Sequence, residues 1–284
     1  MNKRIFILLL AGIFLFTSLT FAKENKDIVV ALGKDLSEEQ KREMLSFFKV
    51  DDSVRLIQVS NEEEREYFGQ YIDESILGTR AISSVYVERL PEGEGITVET
   101  HNISWVTEDM YRNASITAGV KDARIIVSSP VKVSGTAALT GIMKAFEDLT
   151  GESISKEEKE IASEEIAKTV LLGSEIGQEK AQELINNIKI YIIDNNIKGK
   201  GSIKKVAEEM AKDLGVELTD EQLNQIVSLM RNISKLDLNI EDIKQQLKDI
   251  SGKIDRIAQQ NIEIKSFLGR ILDAIMSFLN KIFG

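Results

Sequence analysis

Arg80, which follows Gly78-Thr79, and the run Ser134-Gly135-Thr136 are the residues whose types suit an anion site. A guanidinium offers a planar fork of donors. A helix that opens on small residues offers free backbone N–H groups. If the two loops share a sheet edge, Thr79, Arg80, Ser134, Gly135 and Thr136 would together form an anion site. The competing reading is ordinary caps and turns, and neither segment matches the phosphate-loop or dinucleotide fingerprints. His101 is the only histidine, so a Ser-His-Asp triad or a histidine-ligated metal would have to use it. It stands in the alternating stretch 97–106, which puts it on a strand facing solvent. The acidic runs Glu62-Glu63-Glu64 and Glu108-Asp109 have the groups that glycoside hydrolysis needs. They stand at helix starts, however, where acids suit the dipole, and no pair is singled out. Trp105, Tyr86 and Tyr111 have the make-up of a sugar platform, but core packing accounts for them as well. Asp194-Asn195-Asn196 before Gly199 has the look of a calcium loop. It fails because Lys198 and Lys205 stand where an EF-hand needs an oxygen ligand and its final Glu. No metal or cofactor is expected.

Absent cysteines exclude thiolate nucleophiles, iron–sulfur chemistry and a lipid-modified cysteine at the amino terminus. The chain has 46 acidic against 36 basic residues, a net charge of −10. That balance repels nucleic acid, so no nucleic-acid partner is expected.

The elements that would position these residues fall into two grammars. Residues 27–150 alternate strands with helices, and residues 151–284 read as helix throughout. The apolar run Ile28–Leu32, ending at Gly33, is a buried strand. Ser37-Glu38-Glu39-Gln40 is a capping box that opens a helix. Val54–Val59 is a second strand, and Asn61 caps a second helix running to about Tyr71. Ala81–Leu90 and Ile96–Val106 read as two strands joined across Pro91–Gly95 as a hairpin, hence an antiparallel pair. Thr107 caps a third helix, Arg124–Ser128 is the fifth strand, and Ser134 caps a fourth helix that Gly151 stops. The fold class expected is a mixed α+β or α/β arrangement: a mixed sheet covered by helices, then an all-helical region.

The word of glycine, apolar residue, hydroxyl cap and Glu or Gln three residues later occurs at 33–40, 151–158 and 215–222. We read it as recurring helix-start chemistry, since the spacings are unequal, unlike those of a repeat array. Further helices are expected at about 156–172, 175–194, 202–214, 220–235 and 239–282, with Gly173, Gly199-Lys200-Gly201 and Gly215 between the first four.

From Ile240 to Ile282 apolar residues recur at spacings of three and four, continued upstream by Ile226, Leu229, Ile233 and Leu236. This is a heptad seam, with Asn261 at an a position, where a polar residue fixes register and oligomer state. The seam either packs on its own chain or forms an intermolecular coiled coil, and we lean towards self-association or an extended stalk. Towards the end Phe267, Leu268, Ile271, Leu272, Ile275, Met276, Phe278, Leu279, Ile282 and Phe283 widen the stripe. Lys265, Arg270 and Lys281 share the remaining face with Asp273 and Asn280. Such a face suits a membrane surface, and equally a terminal helix packed in a bundle.

The first residues are a leader. Lys3 and Arg4 precede the apolar Ile5–Phe16, and Thr20-Phe21-Ala22 supplies small residues for cleavage after about Ala22. The expected organisation is a signal peptide at 1–22, an α/β domain at 23–150, a helical region at 151–235 and an amphipathic segment at 236–284. The product is exported, either extracellular or envelope-associated.

Four segments together resemble the YpuA-like family of exported proteins of Gram-positive bacteria, a family classed as a domain of unknown function. They are residues 32–40 (LGKDLSEEQ), 78–84 (GTRAISS), 102–107 (NISWVT) and 133–141 (VSGTAALTG). The resemblance implies a signal peptide and an envelope or extracellular location. It brings no activity, cofactor or catalytic residue. The function expected is that of a non-enzymatic binding protein, its ligand unidentified, with helical tethering or oligomerisation. The alternative is a hydrolase of wall polymers acting at the Arg80 and Ser134 loops.

Overall fold

The computed structural model describes residues 27–238 except 52, together with 240, 241 and 243. The leader, Asn261 and the apolar face from Phe267 to Phe283 lie outside the described residues.

Five strands form one mixed sheet: β1 Ile28–Gly33, β2 Arg55–Val59, β3 Ser84–Arg89, β4 Ile96–Ile103 and β5 Ala123–Val133. Their order is β2-β1-β3-β5-β4. The outer pairs, β1 with β2 and β4 with β5, are parallel. Strand β3 runs antiparallel to both β1 and β5. Each parallel pair is joined through a helix, α1 Glu38–Phe48 on one side and α4 Glu108–Thr117 on the other, as parallel pairing requires.

This order corrects the hairpin reading. β3 and β4 are not neighbours, because β5 lies between them. The Pro91–Gly95 loop has to cross two strand spacings, about 10 Å, and it wraps the start of β5 instead of turning tightly. Asp122 anchors it: Oδ1 accepts from the amides of Gly93 (3.0 Å) and Gly95 (2.8 Å), and the Asp122 carbonyl accepts from Leu90 N at 2.7 Å.

Helix α1 covers one face, packing Met44 and Phe48 on Val30, Leu32 and Tyr86. The other face carries α2 Asn61–Phe68, the short α3 Glu74–Leu77, α4 and α5 Thr136–Thr150. There Val29, Ala31, Val85, Ile125 and Val127 meet Tyr111, Leu139, Ile142 and Met143. Helix α6 Lys156–Ile176 lies over α2 and α4, adding Ala162, Ile166 and Val170 to this core. Its opposite side packs with α7 Gln178–Asp194, α8 Lys200–Asp213 and α9 Asp220–Ile233 around a second core. Ile226, Leu229 and Ile233, upstream members of the heptad seam, are spent in that core.

Local chemistry explains most helix starts. Ser37 with Gln40, Ser155 with Glu158 and Thr219 with Gln222 each form a reciprocal capping box. A fourth, Ser60 with Glu63, opens α2, so Ser60 and not Asn61 is its cap. Gly135, and not Ser134, caps α5. Gly173 does not end a helix: α6 runs through it, and the break comes at Gly177, where φ is 96°. What Gly173 provides is room, since a Cβ there would sit 3.1 Å from Gln178 Cα.

Candidate functional site

The ends of β1, β2, β4 and β5 and the start of β3 meet at one edge of the sheet. All four segments that carry the family resemblance arrive there. Asp35 Oδ2 accepts from Ala81 N (2.8 Å), and Arg80 Nη2 donates to the Asp35 carbonyl (2.8 Å). Ser104 N donates to the Val133 carbonyl at 2.9 Å.

The centre of this edge is a carboxyl group absent from the anion site read in the sequence. Glu64, in α2, is 1% exposed. Its Oε1 accepts from the Thr136 hydroxyl and its Oε2 from Asn61 Nδ2 at 3.0 Å. The Ala137 amide, in the first turn of α5, also donates to it. The free N–H groups at the start of α5 thus meet the chain's own carboxyl. Burial pushes the Glu64 pKa up to about 7, against the pull of the Thr136 and Asn61 hydrogen bonds and the Arg65 charge. Beside it Tyr111, fully buried, donates its hydroxyl to the Gly135 carbonyl at 2.5 Å. Burial holds that phenol well above its usual range, and the Glu64 charge adds to the effect. Gly135 fits because φ is 97° and a Cβ would lie 2.4 Å from the Tyr111 oxygen.

The sequence-derived residues therefore part company. Ser134, Gly135 and Thr136 sit at the Glu64 cluster, where Ser134 Oγ lies 3.3 Å from Thr136 Oγ1. Thr79 and Arg80 are exposed on the neighbouring loop, and Arg80 is turned onto Asp35. His101 is exposed and stacks on Phe47, ring centroids 5.0 Å apart. Tyr86 and Tyr111 are core residues. Glu64 was missed because Glu62-Glu63-Glu64 looks like a solvated helix start. The readable signal was the spacing of Asn61, Glu64 and Phe68, three and then four residues apart; all three are buried. A carboxyl that titrates near neutrality has the pKa of a general acid or base; here it is turned inward onto Thr136 and Asn61.

A second buried polar cluster ties the sheet layer to the helical layer. Lys189 Nζ, on α7, lies 2.6 Å from Glu165 Oε1 on α6 and donates to the Asn113 carbonyl (3.1 Å) and Thr117 Oγ1 (3.2 Å) on α4. Thr117 in turn donates to Glu165 Oε2. Among the described residues no group of three or more His, Asp or Glu side chains is placed to hold a metal ion.

A family model described as "Protein of unknown function (DUF1002)" matches residues 32–250. The chain belongs to this family. It is 42% identical over 257 residues to "Uncharacterized protein YpuA" of Bacillus subtilis (strain 168), covering 90% of this chain and 88% of that one. No solved structure matches the chain. The DUF1002 match begins in β1 and takes in both layers, so the sheet edge and the helical bundle are shared ground of the family.

Proposed function

We propose that the chain is exported by its leader and works in the cell envelope by binding a partner rather than by catalysis. Its C-terminal segment would tether or oligomerise it. The observation that supports binding over turnover is the closure of the sheet edge. The electropositive α5 N-terminus is engaged by Glu64; Tyr111 is hydrogen-bonded to Gly135, and Arg80 to Asp35. These groups are satisfied by one another and support position, not turnover. Among the described residues no helix is long and apolar enough to cross a membrane, so attachment in this reading falls to the segment beyond them.

The test follows the protein in its own host. Mass spectrometry should find the amino terminus at Lys23, in the envelope or medium. A chain ending at Glu263 should be released from the envelope, and should fail to float with liposomes that carry the full form. A protein retaining Met1 in the cytoplasm overturns the reading. So does turnover of peptidoglycan that is abolished by Arg80→Ala or Ser134→Ala.

A further inference from the structure

The groove between the start of α8 and the side of α9 that runs from Asn224 to the turn at Lys235 has a charge pattern opposite to that of the molecule. Lys200, Arg231 and Lys235 line one depression of about 340 Å³, with Asn224, Ser228 and Asn232 between them. All three cations are exposed in a chain whose net charge is −10. Among the described residues no carboxylate pairs with any of them. Lys235 Nζ donates to Asn232 Oδ1 at 3.1 Å. Glu164 accepts from Asn232 Nδ2 at 2.9 Å, but it is buried and paired with Lys168.

Three like charges held together raise the free energy of the unliganded protein unless an anion offsets them. Lys200 adds to this. It opens α8, at the positive end of the helix dipole, and no acid in the first turn compensates. Arg231, in the last turn of α9, and Lys235, in the turn just beyond its end, line the depression together, and Lys200 meets them from α8. We propose that this groove binds a phosphate-bearing polyanionic strand. The guanidinium takes phosphate oxygens in pairs and the ammonium groups act as point charges. The amide and hydroxyl side chains between them supply further donors.

A strand fits better than a membrane. The cations line a depression, and the one apolar residue on its wall, Val227, is 1% exposed. A membrane-surface element needs exposed apolar side chains beside its cations. The chain's net negative charge repels a polyanion at long range, but salt screens that repulsion beyond about 8 Å, so attachment is decided at contact. This groove is distinct from the sheet edge, and its binding does not depend on export.

The test titrates the chain from Lys23 onward with long-chain inorganic polyphosphate at about 50 and about 150 mM salt. Vesicles of phosphatidylglycerol and phosphatidylcholine are titrated in parallel. The triple variant Lys200→Gln/Arg231→Gln/Lys235→Gln is compared with Arg42→Gln/Arg89→Gln/Lys132→Gln, which removes three exposed cations elsewhere. Thermal melts confirm that both variants fold. The groove variant should bind polyphosphate at least about tenfold more weakly with a shallower salt dependence, and the control should bind as the parent does. Three results overturn the proposal: no polyphosphate binding by the parent, equal loss in both variants, or groove-dependent binding to vesicles but not to the polymer. The last would assign the groove to a membrane surface.

Discussion

Glu64 shows how one buried side chain sets a pH response. Its carboxyl titrates at about 7 in the fold, against an ordinary value of 4.5. Between those values the folded state holds the proton more tightly than the unfolded chain does, so the stability that this group contributes is fully present below about 4.5 and is lost as pH rises through 7. The span corresponds to a loss of about 3 kcal/mol. Denaturant unfolding between pH 5 and pH 8 should show this decline, and Glu64→Gln should flatten it; an unchanged slope in the variant would place the titration elsewhere. Gly135→Ala should cost about 2–4 kcal/mol, because it strains a left-handed backbone and drives a Cβ into Tyr111 and Ile103. Tyr111→Phe should cost less, about 1 kcal/mol, because the Gly135 carbonyl loses the phenol but keeps the Ala138 amide as a donor. Calorimetry on the two variants checks both the values and their order.

At the scale of elements, two contacts decide how segments meet. Lys189 and Glu165, 1% and 3% exposed in their side chains, join α7, α6 and α4. Removing one partner strands a buried charge, so Lys189→Met should destabilise by about 3–5 kcal/mol. Adding Glu165→Gln should recover much of that loss, and a double-mutant cycle reads the coupling. Additive effects would show that the pair is not coupled. Asp122 does the equivalent work for the β3–β4 connection. With φ at 46° and two amides on one oxygen, Asp122→Ala should cost about 2 kcal/mol. Asp122→Asn should cost less, since asparagine keeps an acceptor and tolerates the left-handed backbone. Equal losses would mean that the charge, and not the acceptor, holds the loop.

At the scale of the molecule, the described residues form three cores: a small one under α1, and two larger ones that share α6, with Ile166 in one and Ile161 in the other. The seam begins inside the second core, at Ile226, Leu229 and Ile233. Its register then passes into the segment that contains Asn261. If that segment self-associates, sedimentation of the chain from Lys23 should give a defined oligomer, and a chain ending at Glu263 should be smaller in number. Asn261→Ile should raise thermal stability while loosening the oligomer number, as removal of a buried polar register residue does. A monomer in every case would turn the seam to packing within the chain.

The sequence by itself determined what is local. β1 follows from its apolar run, α1, α6 and α9 from their capping boxes, and α4 from Thr107, because those signals act between residues a few positions apart. The mixed sheet covered by helices was legible for the same reason. Strand order was not: whether Pro91–Gly95 closes a hairpin or spans β5 depends on the pairing of β5, which lies beyond the loop in the chain. The site divided in the same way. Ser134-Gly135-Thr136 was recognisable as a helix start, whereas its occupant was not, because Glu64 reaches Thr136 across 72 positions of chain. The groove of Lys200, Arg231 and Lys235 likewise exists only once α8 packs on α9. Helix caps need only their own turn, while a charge cluster or a buried carboxyl needs the long-range packing that brings distant segments together.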